Sequence, residues 1–118
     1  MAGRPTVIEH LGAALKGAGL RQAAIANNIA NLNTPGYRRR TVEFERMLAE
    51  AMSKGRPIDL ADLRKAIVRP MNTPADPSGN DVSLEMEIGE MLKNGTMSKT
   101  YMRLLAKLYR QIELAIQG

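Results

Sequence analysis

Few side chains in this 118-residue sequence can make or break covalent bonds. There is no cysteine, which excludes a thiol nucleophile, a disulfide framework and a thiolate metal site. A single histidine, His10, is the one candidate base for a Ser–His device and too little for a His-based metal centre. The serines are Ser53, Ser78, Ser83 and Ser98, and none lies in a Gly-x-Ser-x-Gly context. With one Phe (Phe44), three Tyr and no Trp, a large aromatic-lined pocket has little to be built from. His10 adjoins Leu11 and reads as a helix-surface residue. These residues argue against an enzyme, and no catalytic residue, cofactor or metal is expected.

The formal net charge is +5 and the pI about 9.9. Residues 1–40 hold Arg4, Lys16, Arg21, Arg38, Arg39 and Arg40 against Glu9, so the excess lies in the first third. A run such as Arg38-Arg39-Arg40 can bind phosphate, and a small basic helical DNA-binding protein is one reading. That reading needs the arginines on a recognition helix, whereas these follow a turn. The run can also meet acidic groups on a neighbouring chain, or be a solvated stretch beside the turn.

Asparagine carries the densest polar signal. Asn27, Asn28 and Asn31 fall within five residues although Asn is a poor helix former. An amide both donates and accepts, so such residues can hydrogen-bond the backbone of an adjacent chain. The alternative is that they cap a helix end and hold water, which accounts for Asn31 and Asn33 but poorly for Asn27. Thr34 precedes proline and is pushed out of the helical region, so the helix should end by about Asn33. Pro35-Gly36 fits the centre of a type II turn, with Gly36 supplying the positive φ.

Two helices must position this turn. The first is predicted over 6–32, with a seam of Ile8, Leu11, Leu15, Ala18, Ile25, Ile29 and Leu32 at the 3.5-residue spacing of a coiled-coil contact, interrupted at Gln22. Alanines flank it and allow close helix approach, while Gly12, Gly17 and Gly19 each cost about 1 kcal/mol relative to Ala and imply dependence on partners. The second is predicted over 83–117, with Ser83 as N-cap and a seam of Leu84, Ile88, Met91, Met102, Leu105, Tyr109, Ile112 and Ile116. Gly95 and Ser98 weaken that seam, so a kink is expected near 94–98. Between the helices, 44–52 and 58–68 read as short helices, and 69–81 as an exposed linker with Pro70, Pro74, Pro77 and Gly79. The fold class is all-α: long terminal helices pair as an antiparallel coiled-coil-like hairpin around an irregular, partly helical middle. The chain divides into an assembly segment at 1–40, a variable middle at 41–82 and a second assembly segment at 83–118. No apolar run reaches the roughly 20 residues of a membrane span, and the N-terminus has no uninterrupted apolar stretch for a cleaved signal.

Asn27-Asn28-Ile29-Ala30-Asn31-Leu32-Asn33-Thr34-Pro35-Gly36-Tyr37 resembles the N-terminal signature of bacterial flagellar rod and hook proteins. Gly79-Asn80-Asp81-Val82-Ser83-Leu84-Glu85-Met86-Glu87, with Met91, Lys93-Asn94, Tyr101, Leu104-Leu105 and Ala115-Ile116, is similar to the FlgB kind, the most proximal rod subunits. A short FlgC-like rod subunit is the alternative. The resemblance implies a structural subunit whose terminal helices pair and stack in a helical tube that carries torque and encloses the export channel. It also implies export through the flagellar type III apparatus without a cleaved signal, and a periplasmic place in the basal body. The partners it implies are the chain itself, FlgC-like rod subunits, a FliE-like junction protein and the export gate, with no nucleic acid and no direct membrane span.

Overall fold

Thr6 opens the first helix by accepting a hydrogen bond from the Glu9 amide at 3.2 Å, the usual work of an N-capping hydroxyl. In this computed structural model, which describes residues 6–117, helix α1 then runs Val7–Ala30 and ends on Asn31. Arg4 and the rest of 1–5 lie outside the described residues, as does Gly118. A two-residue strand β1 (Thr41–Val42) follows, then helix α2 (Glu45–Lys54), helix α3 (Leu60–Arg64), strand β2 (Ile67–Val68) and the long helix α4 (Leu84–Gln117). Ser83 opens α4, its hydroxyl accepting from the Met86 amide at 3.3 Å.

The two long helices pack side by side and antiparallel. Asn28 meets Glu87, Ala18 meets Asn94, and His10 shares a cleft with Tyr109. At 1.5 Å per residue α4 is about 51 Å long and α1 about 36 Å, so α4 overhangs. The described molecule measures 64 × 28 × 17 Å.

The middle of the chain is more ordered than its composition predicts. β1 and β2 form an antiparallel ribbon pairing Thr41 with Val68 and Val42 with Ile67. The helix expected over 58–68 is therefore shorter, and its last residues turn into a strand. α3 is fixed by a reciprocal cap: the Asp62 amide donates to Asp59 Oδ1 at 2.9 Å and the Asp59 amide to Asp62 Oδ2 at 3.1 Å. This segment also supplies the main apolar core, where Val42, Phe44, Leu63 and Ala66 pack on Ala14 of α1. Phe44, the one phenylalanine, is fully buried, and a Cβ built on Gly17 would stand 2.7 Å from its ring. The Gly17 that weakens α1 locally is thus the seat for the largest core side chain. The Arg21 guanidinium also stands over the ring, 4.6 Å from its centroid, and pairs with Glu45 at 2.8 Å.

α4 keeps helical backbone through 94–98 without a loosened turn, and Asn94 is anchored to α1 there. The segment 69–81 is exposed for most of its length, yet its end is not a free linker: Asn80 and Asp81 are buried against the turn that follows α1.

Candidate assembly site: the asparagine turn and its buried polar cluster

The turn has the expected local form. The Tyr37 amide donates to the Thr34 carbonyl at 3.2 Å across Pro35-Gly36, and Gly36 has φ +74°, as a type II turn requires. The outer loop docks onto it. Gly36 N–H donates to the Ser78 carbonyl at 2.8 Å and Asp81 N–H to the Tyr37 carbonyl at 3.2 Å. Gly79 also has positive φ, and a Cβ there would come 3.4 Å from the Gly36 Cα, so two glycine turns stack back to back. Asn80 joins them, its amide donating to the carbonyls of Asn31 at 2.9 Å and Thr34 at 2.8 Å.

Beneath the turn lies a polar cluster shielded from water. Asn28, fully buried, uses all four of its hydrogen-bonding positions. Its Nδ2 donates to the Arg40 carbonyl at 2.9 Å and to Glu87 Oε2 at 3.1 Å. Its Oδ1 accepts from the Tyr37 hydroxyl and the Arg40 amide, both at 2.9 Å. Glu87, also fully buried, receives Arg39 Nε on its other oxygen at 2.7 Å. Asp81 Oδ1 accepts from the Arg39 amide at 2.6 Å, and Arg38 pairs with Asp81 Oδ2 at 3.5 Å. Burial raises the Tyr37 phenol above its ordinary value, against the opposing charge of Arg40. A buried ion pair is tolerable only when every remaining lone pair is met, and Asn28 meets the one Arg39 leaves.

This geometry answers two of the sequence readings. The acidic partners of Arg38 and Arg39 are Asp81 and Glu87 of the same chain, so two of the three arginines of the basic run are taken up within the fold, while Arg40 is held through its backbone by Asn28. The Asn28 and Asn31 amides bond within the chain as well: Asn31 donates to the Asn27 carbonyl at 2.8 Å and accepts from the Thr34 hydroxyl at 3.1 Å. Asn27, Asn33, Thr34, Pro35 and Gly36 remain exposed and Tyr37 half-buried. His10 is buried instead of lying on a helix surface. Its ring bonds the Arg56 carbonyl at 3.0 Å, and no serine bonds it among the described residues. No group of three or more His, Cys, Asp or Glu among the described residues is placed to hold a metal ion.

The seam residues divide. On α1, Ala18 and Ile25 are buried, and Ile8, Leu11, Leu15 and Ile29 half-buried; Leu32, also half-buried, lies in the turn beyond Ala30, where the helix ends two residues earlier than expected. On α4, Met91 and Leu105 are half-buried, whereas Leu84, Ile88, Met102, Tyr109, Ile112 and Ile116 are exposed. The face of α4 turned to α1 instead follows Glu87, Met91, Asn94, Ser98, Tyr101, Leu105 and Leu108. Asn80, Asp81, Glu87 and Asn94 entered the sequence reading only through the family resemblance, with no role in the hairpin assigned to them. The adjacent polar pair Asn80-Asp81, set just before a capped helix, was the available signal.

A two-helix hairpin locked by a buried polar cluster, with an apolar stripe of α4 left exposed, has the build of an assembly subunit. Comparison with known proteins identifies which. The family model "Flagella basal body rod protein" matches residues 8–38, the span of α1 and the turn. A protein named flagellar basal body rod protein FlgB from Bacillus subtilis is 32% identical over 96 residues, covering 74% of each chain. FlgB proteins of Borreliella burgdorferi and Borrelia hermsii are 24% and 23% identical over 116 residues, covering 83% of this chain and 86% of theirs. The chain belongs to the flagellar basal body rod protein family and stands with its FlgB members. It is a structural rod subunit of the flagellar basal body, associated with other basal-body components. Among the described residues no helix is long and apolar enough to cross a membrane.

Proposed function

We propose that this chain builds the proximal part of the rod, polymerising with copies of itself and with FlgC-like subunits into a helical tube that transmits torque around the export channel. The observation that carries the reading is the apolar stripe of α4, Leu84, Ile88, Met102, Tyr109, Ile112 and Ile116, which is exposed in the single chain. Contacts of this kind are heterologous, joining different faces of successive subunits, and so grow an open helix. Segments 1–40 and 83–118 supply these contacts, and 41–82 braces α1 from the outside. At the inner end the subunit meets a FliE-like junction protein and the export gate. The chain reaches this periplasmic position through the flagellar export apparatus without a cleaved signal, and works without catalysis.

The test is deletion of the gene in its host, with basal bodies imaged by electron cryotomography. Membrane-embedded rings without rod or hook, restored by the plasmid-borne gene, are expected. Normal flagella in the deletion strain would discard the reading.

A further inference from the structure

The contact between α1 and α4 has polar residues at its centre and leaves apolar ones outside it. Two seams run along α4 at 3.5-residue spacing. Where they differ, the more apolar one has Ile88, Gly95, Met102 and Tyr109, and the one that faces α1 has Glu87, Asn94, Tyr101 and Leu108. Met91, Ser98, Leu105 and Ile112 form an edge common to both, so the seams differ by a turn of the helix about its own axis, about 50° at 3.5 residues per turn. No slide along the axis separates them. Burial of apolar surface alone would favour the first seam.

We infer that Glu87 and Asn94 set the rotation of α4, holding it on its more polar seam and keeping Ile88, Met102 and Tyr109 outside. Glu87 is 0% exposed and Asn94 2%. Each is tied to groups that cannot follow a turning helix. Glu87 receives Asn28 and Arg39, the latter itself buried. Asn94 donates to the Ala18 carbonyl at 2.8 Å and to Gln22 Oε1 at 3.4 Å. Turning α4 onto its apolar seam would carry Glu87 away and strand two buried donors, a large penalty in a water-free contact. The Asn94 Oδ1 has no partner, so this seat keeps an amide where an apolar side chain would be buried at lower cost. Polar residues at seam positions are known to select one helix arrangement at the expense of stability. The exposed stripe's use in subunit contacts rests on the assembly reading above; the rotation does not.

The chain has no cysteine, so single thiols report the rotation directly. Leu108→Cys probes the buried seam and Met102→Cys the exposed one, each labelled with a maleimide on the isolated chain while circular dichroism follows helix content. With the polar pair intact, position 102 is expected to react several-fold faster than 108. In Glu87→Ala/Asn94→Ala the ratio is expected to fall towards unity or invert. An unchanged ratio at full helix content would overturn the inference. If the double variant loses its helix content, Asn94→Ala alone decides, since it keeps the Arg39 pair: its ratio must fall, and an unchanged ratio overturns the inference. Labelling is read on the free chain, so a failure of rod assembly in a chain with a normal ratio bears on the assembly reading alone.

Discussion

Asn28 shows how a helix-weakening residue becomes indispensable once its surroundings are known. Its amide is the one group that both donates to Glu87 and holds the chain at Arg40. Asn28→Asp keeps the shape but sets a second carboxylate against Glu87 and removes both donors. A loss on the order of 3 kcal/mol is expected, read as a lowered urea midpoint at unchanged m. Two glycines of α1 separate local propensity from packing. Gly17→Ala drives a methyl into the Phe44 ring at 2.7 Å and should cost about 1–3 kcal/mol. At Gly19 nothing stands within 4 Å, so Gly19→Ala should stabilise by up to about 1 kcal/mol. Thermal melts of the two variants should therefore move in opposite directions. From the sequence both glycines look alike, because the side chain that fills one of the sites comes from 27 residues away, the separation of Gly17 and Phe44.

Element boundaries were legible because they are decided locally. Thr6 and Ser83 cap the long helices, and Thr34-Pro35-Gly36 turns the chain a few residues after the first one ends, each within a few residues of its own hydrogen bonds. The ribbon β1–β2 was not legible, since two-residue strands have no period to read. The docked loop 76–81 was hidden for a related reason: its composition is that of a linker, and only the facing turn gives it partners. Its own clamp is Asp76, whose carboxylate accepts from the Ser78 hydroxyl at 2.6 Å, the Ser78 amide at 2.8 Å and the Asn80 amide at 3.1 Å. The Ser78 hydroxyl first, and then the Asn80 amide, hold this carboxyl below its ordinary value. The folded pKa is depressed, so the clamp's contribution is full above the unfolded value and is lost as pH falls through the folded one. The amide resonances of Ser78 and Asn80 should titrate together with a midpoint below 3.8, and a midpoint at or above it would remove the clamp. Replacing Pro35-Gly36 by Ala-Ala should abolish the positive φ that docks Gly36 on Ser78, extend α1 and block rod assembly while leaving expression intact. Normal motility in that variant would deny the turn its place in assembly.

Across the whole molecule the helical hairpin was readable, and the side of α4 that closes it was not. Periodicity locates apolar residues but gives no weight to a buried Glu whose partners, Asn28 and Arg39, lie on another element. The outcome is an elongated subunit whose α4 is exposed at every residue from 110 to 117. Substitutions there should separate folding from assembly. Ile112→Asp with Ile116→Asp is expected to change stability by no more than about 0.5 kcal/mol, measured by denaturant unfolding of the free chain, while abolishing rod formation in cells. A large loss of stability would instead place those side chains inside the folded subunit.

The lock between α1 and α4 also imposes an order in time. Asn28 reaches Glu87 across 59 residues and Asn94 reaches Ala18 across 76. Contacts so distant in sequence are slow to form, because a long loop must close before they contribute anything. Until the last third of the chain is free, Arg39 and Asn28 have no carboxylate to receive them. A chain emerging from its N-terminus, from a ribosome or through a narrow passage, therefore leaves this lock open until Glu87 and Asn94 have emerged. Closure of the hairpin is a late event, triggered by the arrival of Glu87.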